Sequence, residues 1–215
     1  SIEQGYKEIQ RNVQGVLRRN EPMKAHTSFG VGGPVDLWAE PESLHDLDIL
    51  IQISEQYCIP YMLIGRGTNL LVRDGGIRGV VISLHHACDY LERTDTTIHA
   101  GAGTSLMALV KYAQHHGLQG LEFCVGIPGS VGGALAVNAG AWGSNICDTV
   151  ETVLVYQPAL KETGRIGKQD FSSGYRKSNI SCFGIIVGAE FQLRPGEPEE
   201  ISARMDQYNA SRTRK

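Results

Sequence analysis

Three segments of the chain carry residue types that could do chemistry. LIGRGTNLLV (63–72) reads as a buried strand entering a turn of Gly65, Arg66, Gly67, Thr68 and Asn69, with Leu70 after it. Glycine permits positive φ and close approach, and consecutive N–H groups facing one way form a nest for an anion. An ordinary tight turn would use the same residues. No Gly-Lys-Ser/Thr follows and the spacing is not G-x-G-x-x-G, so neither a Walker A loop nor a dinucleotide fingerprint is present here. The second segment, VGIPGSVGGALAVNAGAWG (125–143), crowds Gly126, Gly129, Gly132, Gly133, Gly140 and Gly143 with four alanines. Such small side chains suit either close packing of helix on sheet or a wall for a large flat ligand, broken by Pro128, Ser130 and Asn138. The third is SSGYRKS (172–178), a polar loop with an isolated Tyr175-Arg176 pair. A planar guanidinium can grip a carboxylate with two parallel bonds, although an arginine in such a loop is also an ordinary surface residue.

These segments must be held by an ordered core, and the composition provides for one. With 215 residues, 41% of them hydrophobic and 20% charged, the chain can bury a core without disulfides or metals. No apolar run approaches the length needed to span a bilayer. The net charge of −3 gives no broad attraction to nucleic acid or anionic lipid, so neither partner is expected and any anion site must be local. Glycine is in surplus at 26 residues, without the period of collagen. Cys58, Cys88, Cys124, Cys147 and Cys182 are scattered with no CxxC pair, which argues for reduced thiols and a cytoplasmic protein. His85-His86 and His115-His116 are adjacent pairs whose side chains diverge, and no metal is expected.

The elements that position the three segments follow from periodicity. An amphipathic helix is expected at the start, with Ile2, Tyr6, Ile9, Val13, Val16 and Leu17 on one side, and is bounded at 1–20. VDLWAE (35–40) alternates as a strand. The segment 41–57 follows as a helix with Pro41 in its first turn. IPYMLIG and GGIRGVVISL supply two more strands, which completes a first α/β unit over 21–85. TTIHA (96–100) opens a second unit over 86–195, with Thr104 as the cap of the next helix. Strands at 151–156 and 184–193 follow. Pro195, Gly196 and Pro198 then break the pattern before a polar helix from about 199 to 211, within a linking segment 196–215.

Taken together and in this order, HTSFGVGGPVDLW (26–38), IGRGTNLLVRDGGIRGVVI (64–82), GAGTSL (101–106), GLEFCVGIPGSVGGALAVNAGAWG (120–143) and GYRKS (174–178) resemble the MurB family of bacterial flavoenzymes. The resemblance implies an α+β chain: two α/β subdomains of the vanillyl-alcohol-oxidase-type (PCMH-like) FAD-binding fold clasp FAD, and a third domain closes over substrate. It implies that Gly65, Arg66, Gly67, Thr68, Asn69 and Leu70 hold the FAD pyrophosphate. Gly126, Ile127, Pro128, Gly129, Ser130, Gly132, Gly133, Asn138, Ala139, Gly140 and Ala141 would flank the ribityl chain and isoalloxazine, with Ile186 or Val187 near the adenine and Arg212 near the flavin. Arg176 matches the family's catalytic arginine, with Tyr175 and Lys215 beside the substrate.

The activity implied is NADPH-dependent reduction of UDP-N-acetylglucosamine enolpyruvate to UDP-N-acetylmuramate in peptidoglycan synthesis, by a monomer of the shorter, second subclass. The family's proton-donor serine and late glutamate have no counterpart before SRTRK. The 215 residues are therefore expected to be part of a longer protein, lacking the third domain and without turnover alone. An FAD-binding fragment and another flavin oxidoreductase of this fold are the alternatives.

Overall fold

The computed structural model describes residues 1–213, with side chains to Arg212. It divides into two compact units, Ser1–Cys88 joined by Pro158–Glu162, and Asp89–Gln157 joined by the described residues from Thr163 onward.

In the first unit, helix α1 (Ile2–Asn12) buries Tyr6 and Ile9 on one face, and Ser1 and Gln4 close a capping box at its start. Val13 is already extended, and Gly15–Pro22 is strand β1, so Val16 and Leu17 lie on a strand and not on a helix running through 1–20. The helical spacing was misleading because GVLRRNEP has no apolar alternation of its own. The segment becomes a strand by pairing antiparallel with β2 (Pro34–Pro41), Leu17 opposite Ala39. Gly15, at φ +122°, admits that approach, since a Cβ there would lie 2.1 Å from the Glu40 carbonyl oxygen.

Helix α2 (Leu44–Gln56) starts after Ser43, whose hydroxyl accepts from the Asp46 amide at 3.1 Å. Pro41 therefore closes β2 and does not open the helix. Strands β3 (Tyr61–Ile64) and β4 (Ile77–Ser83) complete a sheet of order β1-β2-β4-β3, with β2–β4 and β4–β3 parallel. The buried runs Val80-Val81-Ile82 and Leu37-Trp38-Ala39 suit parallel strands covered on both faces. The sheet delivers the turn 65–70 directly from the end of β3.

The second unit opens with β5 (Leu91–Thr94) and β6 (Thr97–Gly101) and continues through helix α3 (Leu106–His115), strand β7 (Leu118–Gln119), helix α4 (Val131–Ala136) and the hairpin β8 (Gly140–Ala141)–β9 (Ser144–Asn145). Then come β10 (Val150–Gln157), β11 (Glu162–Gly167), the hairpin β12 (Ser173–Gly174)–β13 (Lys177–Ser178), β14 (Ile185–Gln192), β15 (Arg194–Pro195) and α5 (Pro198–Thr213). The main sheet runs β11-β10-β14-β6-β5.

Thr104 does not cap α3. Ser105 occupies that position without a side-chain bond, while the Thr104 hydroxyl donates to the Tyr90 carbonyl and accepts from its amide, both at 3.1 Å. Segment 196–215 is not a bare link, since α5 buries Ile201 and Met205. No helix among the described residues is long and apolar enough to cross a membrane.

Candidate functional site

The 65–70 turn begins where β3 ends, and its backbone has donors to spare. Gly67 sits at φ +63° and is buried, while Gly65, Arg66 and Asn69 are exposed and Thr68 and Leu70 half-buried. The Gly67 carbonyl accepts from the Ser28 amide at 3.1 Å, and a Cβ on Gly67 would fall 1.9 Å from the His26 carbonyl oxygen. Glycine is thus required by the neighbouring 26–28 loop as well as by φ. Among the described residues, the amides of Arg66, Gly67, Asn69 and Leu70 donate to no protein group. Four free donors within five residues are what an anion needs from a nest.

The loop against this turn is itself tied down. Met23 and Lys24 donate their amides to Gly33 and Gly32, and Thr27 Oγ1 donates to the Val31 carbonyl at 2.9 Å. His26 Nε2 lies 2.9 Å from Glu21 Oε1, and its ring stacks on the Trp38 indole at 3.7 Å and 18°. The bond from His26, with Arg18 adding to it, holds the Glu21 carboxyl below the usual glutamate range.

In the second unit the glycine-rich segment divides by exposure. Gly126 and Pro128 are exposed, and Ile127, Gly129, Gly132, Gly133, Gly140 and Ala141 half-buried. Ser130, Asn138, Ala139, Ile186 and Val187 are buried. The start of α4 is not an open anion site. The amides of Val131 and Gly132 reach the carbonyls of Thr104 and Ala102, both at 2.9 Å, and Gly133 N–H reaches Ser130 Oγ at 3.2 Å. A Cβ on Gly132 would stand 2.9 Å from Ala102 Cβ, so that glycine serves close packing.

Asn138 has both amide ends on protein. Its Nδ2 donates to the Gly174 carbonyl at 2.9 Å, and its Oδ1 accepts from the Cys147 amide at 3.2 Å. On α5, Arg212 packs beside Gly126, where a Cβ would meet Arg212 Cδ at 3.0 Å, and its buried Nε and second terminal nitrogen have no hydrogen-bond partner. Cys124 below it is pushed up to about 12 by burial, against the opposing charge of Arg212.

The SSGYRKS segment is a two-residue hairpin with Tyr175 and Arg176 at its tip, Gly174 opposite Lys177 and Ser173 opposite Ser178. Asn138 holds one strand of it, and Ser178 Oγ holds the other by donating to the Leu135 carbonyl at 2.8 Å. Tyr175 is 88% exposed, and Arg176 adopts φ +57°. That left-handed conformation costs a non-glycine residue about 1 kcal/mol or more. Its guanidinium carbon lies 5.9 Å from the Tyr175 ring, and among the described residues no carboxylate is paired with it.

The turn 65–70 falls in the first unit, while the 126–141 wall, Arg176, Ile186, Val187 and Arg212 fall in the second. Within the second unit the structure joins Arg176's hairpin to the wall through Asn138 and Ser178, and Arg212 to Gly126. Lys215 lies outside the described residues. Spacing did not single out His26, Ser28 or Trp38 as companions of the turn, and the only signal for them was the glycine-rich HTSFGVGG run.

The FAD-binding domain family matches residues 35–168, more than half of the chain. UDP-N-acetylenolpyruvoylglucosamine reductase of Geotalea uraniireducens is 43% identical over 199 residues, which is 91% of this chain and 65% of that protein. The namesake from Geobacter metallireducens is 43% identical over 94% of this chain and 67% of its own length. The crystal structure of UDP-N-acetylenolpyruvylglucosamine reductase (MurB) from Thermus caldophilus superposes with a TM-score of 0.77 at 32% identity, covering 92% of this chain and 70% of that one.

The chain belongs to the MurB family.

The fold is also that of more distant FAD-fold structures, such as an alkyldihydroxyacetonephosphate synthase at a TM-score of 0.64 and 17% identity. Against the first of the MurB relatives the chain spans about 65% of the length. Each unit by itself offers donors of the kind that the acceptor-rich FAD needs: in the first, free amides around a buried glycine at 65–70, and in the second, Arg212 N–H groups that have no hydrogen-bond partner among the described residues.

Proposed function

We propose that the chain is the FAD-holding part of an NADPH-dependent reductase that converts UDP-N-acetylglucosamine enolpyruvate to UDP-N-acetylmuramate. It would act as a cytoplasmic monomer in peptidoglycan precursor synthesis. The observation that carries this is the identity of 43% to reductases of that name, over segments that include the three chemistry-bearing ones. Cytoplasmic placement is supported by five free thiols, three of them buried.

In this scheme FAD, when bound, relays two electrons from NADPH to the enolpyruvyl double bond. Arg66, Gly67, Asn69 and Leu70 hold the pyrophosphate through their amides, with Gly65 and Thr68 completing the turn. Exposed Gly126 and Pro128, with Ile127 and Gly129, present a wall with little side-chain bulk, and Arg212 offers N–H donors next to it. Buried Ser130, Asn138, Ala139, Ile186 and Val187 support that wall from behind.

Arg176 meets the substrate carboxylate. Reduction of the vinyl carbon drives negative charge toward that carboxylate, and a guanidinium presented beside it would stabilise that charge as it develops. One preorganised donor of this kind contributes about 3 kcal/mol to the barrier. The hairpin supports this reading, since the Arg176 backbone is held in a left-handed conformation at a tip pinned by Asn138 and Ser178. Tyr175 and Lys215 are assigned to the substrate side, Lys215 from sequence alone.

The test is a flavin titration followed by anaerobic mixing of the photoreduced protein with the enolpyruvyl substrate. Bleached flavin that regains its oxidised absorption band on mixing supports the reductase. A protein that takes up no FAD, or one lengthened to the span of its relatives whose reduced flavin ignores the substrate, refutes it.

A further inference from the structure

We propose that His26 is the positioning residue that moors the anion-holding turn 65–70 to β2, an inner strand of its sheet. The inference rests on the assignment of that turn to the FAD pyrophosphate made above. Besides its departure from the end of β3 and Leu70, which packs against the cluster of Met23, Val35, Trp38, Val72 and Val81, the turn leans on the 26–28 loop, through the Ser28 amide to the Gly67 carbonyl and through the His26 carbonyl oxygen against Gly67. Leu70 fixes the far end of the donor row, and the place of its middle, at Gly67, is set by where that loop stands.

Two side chains fix the loop. Met23 is fully buried in the cluster of Val35, Trp38, Val72 and Val81. Three residues on, at the place where the loop touches Gly67, the His26 ring lies flat on Trp38 with only 17% of its side chain exposed. Its Nε2 must carry a proton, because the partner 2.9 Å away, Glu21 Oε1, is a carboxylate that only accepts. The same Glu21 oxygen also accepts from Arg18 at 3.1 Å. Trp38 is held in turn: it is 3% exposed, and its Nε1 donates to Glu40 Oε1 at 3.2 Å. A continuous path of fixed groups thus runs from Glu40 and Trp38 on β2, through His26, to the backbone atom that defines where Gly67 sits. Nothing in the ring itself needs to touch the ligand.

The path makes a specific claim about which part of the ligand feels His26. The diphosphate end should, and the isoalloxazine end should not. Binding of FAD, of ADP (the diphosphate half alone) and of riboflavin (the half without diphosphate) is measured on the full chain by fluorescence and calorimetric titration. Loss of one charge-assisted bond and one ring stack in His26→Ala should weaken FAD and ADP about tenfold, and riboflavin should bind as in the wild type. His26→Phe keeps the stack and loses the bond to Glu21, and should fall between the two.

Hydrogen exchange supplies the readout independent of ligand. Exchange at the Ser28 amide, which is bonded to the Gly67 carbonyl, should rise in His26→Ala, while Val81 and Ile82 on β4 stay protected. FAD and ADP affinities equal to the wild type, a parallel loss of riboflavin, or a rise in exchange that spreads through β4 would each overturn the mooring. A wild-type chain that binds FAD but not ADP overturns instead the pyrophosphate assignment on which the mooring depends, and the proposal falls with it.

Discussion

The turn 65–70 and the hairpin 172–178 are both short, polar and built around a left-handed residue, yet they are constrained in opposite ways. At the turn the left-handed residue is a buried glycine, wedged so tightly that any side chain would strike the His26 carbonyl. At the hairpin it is Arg176, exposed at a tip, with its side chain free of any carboxylate and only its flanking strands tied down. The first arrangement offers backbone donors and must not move. The second offers one side chain, and on the proposed function the strain in its backbone serves to aim it. A site that binds by amides invests in packing, and a site that acts through a guanidinium invests in anchoring the two strands below it.

The sharpest way to break this contrast is at Gly67. Gly67→Val adds a β-branched side chain at φ +63° with a backbone oxygen 1.9 Å from its Cβ, and should cost about 4 kcal/mol through strain and overpacking together. Flavin content per chain and the urea midpoint should both drop. Normal flavin content would remove the turn from the pyrophosphate.

Arg176→Lys should do the reverse, leaving flavin content and the urea midpoint as in the wild type. In a protein lengthened to the span of its relatives, reoxidation of reduced flavin by the enolpyruvyl substrate should slow about 100-fold, with the NADPH-dependent half unaffected. Equal slowing of both halves would show that the hairpin is a general support and carries no substrate contact.

How much of this was legible in the sequence differs between the two regions for a physical reason. The glycines of the 65–70 turn and the Tyr-Arg tip are local features, fixed by φ and by a two-residue turn, and local sequence encodes such things. What the residues alone did not reveal is tertiary. Gly15–Pro22 becomes a strand only because β2 is there to pair with it. Thr104 bonds Tyr90 and leaves the α3 cap to Ser105. Asn138 looked like a polar group facing a ligand, and the structure has it bonded at both ends, to Gly174 and Cys147. The strands that pair in register and the side chains that bridge distant segments depend on neighbours that no local pattern names.

Asn138 also gives the next test, because it belongs to the hairpin's anchoring. It is 2% exposed and at φ +46°. Asn138→Ala leaves a carbonyl and an amide without partners, which should lower stability by about 2 kcal/mol. Faster hydrogen exchange at Lys177 should accompany the loss. If stability held and flavin content fell instead, Asn138 would be a cofactor contact and the hairpin would need another anchor.

The smallest effect expected is the most discriminating about strain. Replacing Arg176 by glycine relieves a left-handed conformation that costs about 1–2 kcal/mol in an L-residue, and adds back about 0.5–1 kcal/mol of unfolded-chain entropy. The net should be a gain of about 0.5 kcal/mol in stability, read as a small rise in the urea midpoint of a protein that has lost its guanidinium. The same substitution logic applied at the turn has no counterpart, since Gly67 is already the residue its backbone requires. A hairpin that stabilises when its arginine is removed would mean that the strain is tolerated for the sake of the side chain it aims. A hairpin that is destabilised would mean that Arg176 contributes to the fold, and the contrast between a cradle that holds and a tip that acts would be lost.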